Sequence, residues 1–199
     1  MLTPYVKVLI EGQSDQGMAK RIIRHSDLSM GQLVTKHGSG NIDKLIPKLS
    51  RTTTNNPWMV FRDSDTRCPV ELRRQLTKSA AVNPAFLLRI VHPMTEGWLM
   101  ADPQSFSQYF KVTAKKVPVD TELLPHAKRN LLALCKNSRS RDIRSDVVRP
   151  DGGTGPLYVS RINEFAEDYW DIATASQNSP SLKRALIRLA ELRSFLMNQ

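Results

Sequence analysis

The sequence predicts an α/β fold, a parallel sheet flanked by helices, with a mainly helical C-terminal part. Two observations carry this. Over the first half of the chain, short apolar runs rich in β-branched and aromatic residues alternate with helix-forming stretches, and turn signals separate them. After about Lys116 the strand pattern stops and helical spacing takes over. Strands that alternate with helices pair in parallel through right-handed crossovers. Residues 1–115 are accordingly read as the sheet-bearing domain, and residues 116–199 as a basic, mainly helical extension packed on it.

Tyr5–Ile10 (YVKVLI) is the first strand, ended by a Glu11-Gly12 turn. Ser14 is read as the cap of the next helix, with Asp15 in its first turn and Met18, Ile22 and Ile23 on its apolar face. Gln32–Thr35 is a weaker strand. A short helix is expected over Ile42–Leu49, disturbed by Pro47. Arg51–Asn56 is polar and reads as a loop. Trp58–Phe61 (WMVF) is a strong strand running into Arg62-Asp63-Ser64-Asp65. Pro69 suits the first turn of a helix that lasts to about Lys78. Phe86–Val91 (FLLRIV) is the next strong strand, followed by His92-Pro93 and Thr95-Glu96-Gly97-Trp98. Further on, Ala127–Cys135 reads as a helix and Ser138–Gly155 as a loop rich in Arg, Ser and Gly. Pro156 is expected to open a helix carrying Ile162, Phe165, Tyr169 and Trp170. Ser179-Pro180 starts the last helix, with Leu182, Leu186, Leu189 and Leu196 on one face.

Hydrophobic residues make up 40% of the chain, enough for a real core and too many for a disordered one. No apolar run reaches the length of a membrane span, and the start lacks the features of a signal peptide. Two cysteines, Cys68 and Cys135, suggest no disulfide framework. A cytoplasmic protein with no membrane partner is expected, with self-association left open. The formal net charge is +10, from 29 Lys and Arg against 19 Asp and Glu, which points to a polyanionic partner, nucleic acid first. The excess is partly local. Lys128, Arg129, Lys136, Arg139, Arg141, Arg144 and Arg149 crowd one region opposed only by Asp142 and Asp146, and they are the candidate nucleic-acid-binding residues.

Isolated acids in so basic a chain need reasons. Parallel sheets bind ligands beyond the carboxyl ends of their strands. Glu11, Asp63 with Asp65, and Glu96 all fall just past strand ends. Magnesium or manganese takes hard oxygen ligands, and one to three carboxylates suffice. Such an ion can activate water and stabilise a phosphoryl group in transfer. Other phosphate chemistry fits less well. The haloacid-dehalogenase phosphatases carry D-x-D-x-T, but Thr66 sits one place early and Arg67 holds the expected position. Gly152-Gly153-Thr154-Gly155 lacks the ending of a P-loop. The histidines have no zinc-ligand spacing with the cysteines, and there is no G-x-S-x-G elbow.

Glu11 in VLIEGQSD and Asp63/Asp65 in VFRDSDT resemble the TOPRIM domain, the metal-binding module of topoisomerases, primases and the overcoming-lysogenization-defect nucleases. That family carries a Glu after its first strand and a D-x-D after its third, and the match covers roughly residues 1–110. V-E-G-x-S-D is read there with one departure, Ile10 standing where the pattern has Val. Together with T-E-G-W-L-M-A-D-P over Thr95–Pro103 and Ser-Pro-Ser-Leu over Ser179–Leu182, it is similar to a small TOPRIM-like family spanning nearly the whole chain. The resemblance implies a TOPRIM-like catalytic domain over residues 1–115. It implies Glu11, Asp63 and Asp65 as ligands of Mg2+ or Mn2+, Glu11 as ligand or general acid/base, and Glu96 as a fourth catalytic acid. Asp102 and Glu96 also suit simple helix capping, Trp98 a core position and His92 a structural one. The activity implied is metal-dependent hydrolysis of DNA or RNA, and some related proteins act in phage defence beside a partner ATPase. Two alternatives stand beside it: a non-catalytic subunit binding nucleic acid or an ATPase, and a small-nucleotide phosphohydrolase.

Overall fold

The computed structural model describes residues 3–51, 53, 55–78 and 83–199. Four strands, β1 (Tyr5–Ile10), β2 (Ser29–Thr35), β3 (Trp58–Asp63) and β4 (Phe86–Val91), form one all-parallel sheet in the order β2-β1-β3-β4. Between them lie α1 (Gln16–His25), α2 (Ser39–Asp43), α3 (Ile46–Leu49) and α4 (Pro69–Thr77). After β4 come α5 (Thr95–Met100), α6 (Pro103–Phe110), α7 (Ala127–Lys136), α8 (Arg141–Val147), α9 (Tyr158–Glu164), α10 (Ile172–Asn178) and α11 (Pro180–Met197). Among the described residues no helix is long and apolar enough to cross a membrane.

The period-two alternation of strand side chains sorts the core into two layers. Val6, Val8, Ile10, Met59, Phe61, Leu87 and Val91 point into the larger cluster, which extends through Trp98, Phe106, Phe165 and Trp170 to Leu192. Leu9, Val60, Phe86, Leu88 and Ile90 point into the smaller one, against Ile42, Ile46 and Leu72. Residues on both sides of position 115 therefore share one apolar interior.

Several local expectations change. β2 begins at Ser29, three residues before the expected start. The helix expected over Ile42–Leu49 is two helices, because Pro47 cannot donate to the carbonyl of Asp43 and instead occupies the first turn of α3. Ser14 is no cap: it lies in a 3-10 turn over Gln13–Asp15, and Asp15 folds back to accept from the Gly12 N–H at 2.8 Å. Ser138–Gly155 is not all loop. Ser140 accepts from the Ile143 N–H at 3.3 Å and caps α8, whose Ile143 and Val147, one turn apart, are buried. The helix expected from Pro156 starts at Tyr158 and ends in a π-helical turn over Phe165–Tyr169. Positions 52 and 54 of the expected Arg51–Asn56 loop lie outside the described residues.

Two distant motifs meet. Ser179 caps α11 by accepting from the Leu182 N–H at 3.3 Å, and Ser181 accepts from the buried Trp98 Nε1 at 2.7 Å. The Ser-Pro-Ser-Leu turn thus holds Thr95–Trp98 against the end of β4. Asp102 caps α6 through Ser105 N–H at 3.1 Å. On the other side, Gly17 of α1 donates to Asn163 Oδ1 at 2.7 Å, and a Cβ there would stand 2.5 Å from the Asn163 carbonyl oxygen. Backbone meets backbone at that point, so a side chain cannot be absorbed by a rotamer change. Gly17→Ala is expected to destabilise the fold by about 1–3 kcal/mol, the scale of overpacking a close contact. Urea unfolding measures it. A midpoint equal to the parent's would contradict the close approach.

Candidate functional site

The acids assemble at the carboxyl edge of the sheet, but not as one ligand triad. Strand parity explains why. Arg62 follows Val60 into the layer of α2, so its buried guanidinium meets Asp43 there, Nε donating to Oδ1 at 2.9 Å. The same guanidinium donates from Nη1 to Asp65 Oδ2 at 3.0 Å and to the carbonyl of Asp63, and Glu11 Oε2 lies 3.5 Å away. Asp65 has φ +50°, a left-handed turn conformation that aspartate tolerates better than most residues, and its carboxylate reaches Arg62. Asp63 follows Phe61 to the opposite face. Its carboxylate is half-buried and accepts from the Thr95 N–H at 3.2 Å.

Behind Asp63 sit two further acids. Asp15 is held by the Gly12 turn. Glu96, in the first turn of α5, is buried and accepts from the Tyr158 hydroxyl at 2.5 Å. Lys128 lies over the Tyr158 ring, 4.6 Å from its centroid, and its charge acts on Asp15. Glu96 is therefore a side-chain partner of Tyr158 and not the N-cap of its helix, which is Met94.

Burial dominates the electrostatics. It pushes the Asp63 carboxyl well above its usual range, and Asp15, Glu96, Glu11 and Asp65 push the same way. Burial raises Glu11 to about 7; Arg62 opposes that rise, while Asp65, Asp15 and Asp43 add to it. Burial raises Asp15 to about 6 against the stabilising Gly12 N–H. Burial works against the charge of Arg62, yet its acid partners outweigh it and hold the guanidinium protonated.

Glu11 and Asp65 thus converge on one guanidinium nitrogen, and Asp63 shares their edge on the other side of the backbone. Among the described residues no three His, Cys, Asp or Glu side chains stand in a metal-holding group. The donor set nonetheless suits a hard cation. Glu11 Oε2 is shielded from solvent with no hydrogen-bond partner, and Asp63 is surrounded by like charge.

The sequence-predicted cations divide. Lys136, Arg141, Arg144 and Arg149 line one cleft of about 430 Å3, together with Pro150 and Pro156. Arg149 also pairs with Asp151 at 3.0 Å, and Arg144 donates to the Ser138 carbonyl. Arg129 and Arg139 are exposed, and Lys128 belongs to the acid edge instead. Sequence reasoning missed Arg62, Asp43, Asp15 and Tyr158 as parts of the site. One signal was present: an arginine next to a buried strand must find acids.

Compared with known proteins, the chain matches no family model, and neither a curated protein nor a solved structure matches it significantly.

A pH prediction follows from the raised carboxyls. A carboxyl whose folded value lies above its unfolded one contributes stability that is fully present below the unfolded value and is lost as pH rises through the folded one. For Glu11 that window runs from 4.5 up through about 7. In chelator at pH 8, Glu11→Gln should be more stable than the parent by roughly 1–3 kcal/mol, allowing for partial exposure. The gap should shrink towards pH 4.5. Melting curves across this range test it, and a gap independent of pH would contradict it.

Proposed function

We propose that the chain is a divalent-metal-dependent nuclease of TOPRIM-like type, hydrolysing phosphodiester bonds of DNA or RNA. The observation that supports this best is the delivery of Glu11 by β1 and of Asp63 and Asp65 by β3 to one edge of a parallel sheet. Glu after the first strand and D-x-D at the end of the third is the order the TOPRIM resemblance calls for. Bound Mg2+ or Mn2+ would be held by Asp63 and Glu11, the two of these three acids whose carboxylates Arg62 does not hydrogen-bond, and would supply Lewis acidity towards a phosphate.

The chain's own residues have separable tasks in this reading. Glu11, raised to about 7, is suited to take or give a proton near neutral pH. Arg62 holds Asp65 and Glu11 in place. Tyr158 fixes Glu96 behind Asp63. Lys136, Arg141, Arg144 and Arg149 offer a cationic cleft for a phosphate backbone, which they would grip by charge and not by sequence.

One observation favours a second reading, a non-catalytic subunit that binds nucleic acid or a partner ATPase through the same surface. Arg62 already neutralises part of the charge on Glu11 and Asp65. Incubation of plasmid, single-stranded DNA and transfer RNA with Mg2+ or Mn2+ separates the two. Nuclease action predicts cleavage by the parent that chelator stops and that Asp63→Asn reduces to background. Salt-sensitive binding without cleavage would overturn it in favour of the non-catalytic reading.

A further inference from the structure

A second cluster of charge lies away from the Lys136–Arg149 cleft. β4 is an edge strand, and Arg89 points to the same face as Leu87 and Val91, where α11 packs against it. A half-buried arginine against a helix normally meets a carboxylate. This one does not. Its Nε is shielded from solvent without a hydrogen-bond partner, and among the described residues no carboxylate pairs with it. The charged groups facing it are mostly like-signed: Arg73 from α4, and Arg184 and Arg188 from α11. Burial and these three cations together depress Arg89 to about 10, with Glu191 acting the other way.

The nearby acids are already engaged. Glu191 pairs with Arg188. Glu122 accepts from Ser179 Oγ at 2.7 Å and from the Ser181 N–H at 2.6 Å. Arg73, Arg89 and Arg184 line one cleft of about 470 Å3, together with the apolar Val70 and Ile90 and the already engaged Glu122. Val70 is 66% exposed, an apolar surface beside the cations.

The geometry points to this cleft as a binding site for a phosphate group carried by a nucleotide or a nucleic-acid strand. Planar guanidinium forks match phosphate oxygens in geometry and charge. The volume exceeds that of a bare phosphate, and the apolar Val70 and Ile90 suit a ribose or base. His92 lines the same cleft, and its Nδ1 lies 2.7 Å from Oγ of Ser64, the residue between Asp63 and Asp65. A phosphate held there would thus share a wall with the acid turn. The inference does not depend on metal or on cleavage.

The test uses the full chain in chelator at constant ionic strength, with inorganic phosphate, a mononucleotide and a single-stranded oligonucleotide as probes. In the parent, each ligand that occupies the cleft should raise the melting temperature by roughly 3 °C at ten times its Kd. Arg89→Met removes a half-buried charge whose Nε is unpartnered, so it should melt no lower than the parent without ligand and should lose the shift. The double variant Arg73→Ala/Arg184→Ala changes only exposed residues and keeps the fold testable. Its affinity should fall at least about tenfold, the scale of losing charged hydrogen bonds. Tighter binding of the mononucleotide or of the oligonucleotide identifies which molecule carries the phosphate. No shift with any probe, or undiminished affinity in the double variant, overturns the proposal. Neither result bears on the acid edge, because no metal and no cleavage enter the readout.

Discussion

The carboxyl edge of the sheet depends on the guanidinium of Arg62. It is 3% exposed and touches Asp43, Asp65 and Glu11 while also donating to the Asp63 carbonyl. One cation thereby ties the end of β3 to the turn after β1 and to α2. The ties are unequal. Asp43 and Asp65 are engaged at hydrogen-bond distance, whereas Glu11 stands at 3.5 Å with its Oε2 otherwise unpartnered. Glu11 is accordingly the acid on that face with most left to bind. A buried pair of this kind is weak support for net stability, because desolvation offsets much of the attraction. Removing the arginine alone, however, would leave three acids facing one another without a cation.

The backbone of β3 divides the acids into two groups with different chemistry. On the Arg62 face, one guanidinium offsets part of the charge of three carboxylates. On the opposite face, Asp63, Asp15 and Glu96 have a Thr95 N–H, a Gly12 N–H and a Tyr158 hydroxyl, with Lys128 as the nearest cation acting on Asp15. Neutral donors soften this charge without cancelling it. Burial first, and the neighbouring acids after it, raise the Asp63 and Asp15 carboxyls, so proton uptake is favoured there. The clefts lined by Lys136, Arg141, Arg144 and Arg149 and by Arg73, Arg89 and Arg184 carry positive charge elsewhere on the molecule.

Much of the fold was legible because the strands are strongly patterned. Tyr5–Ile10 and Phe86–Val91 were read with their observed bounds, and Ser179-Pro180 marks the last helix start. What failed was local chemistry with a weak apolar signature. α8 buries only Ile143 and Val147, too few for its period to stand out among the arginines. Asp15 reads as a first-turn acid of a capped helix, yet the Gly12 turn folds it inward. The candidate acids were found by their place after strands, but their division between two faces was not. Spacing in D-x-D suggests a shared face, and only the left-handed backbone at Asp65 sends its carboxylate to Arg62. The partners Arg62, Asp43 and Tyr158 come from separate elements that sequence distance does not connect.

On the Asp63 side the acid edge is short of positive charge, and the nuclease proposed above would take a divalent cation there. Anomalous diffraction from crystals soaked in manganese tests it most directly. The account predicts one strong peak bound by the Asp63 and Glu11 carboxylates, with Arg62 still holding Asp43. Soaked crystals with no peak at this edge, and with Arg62 and the acids arranged as described, would contradict it.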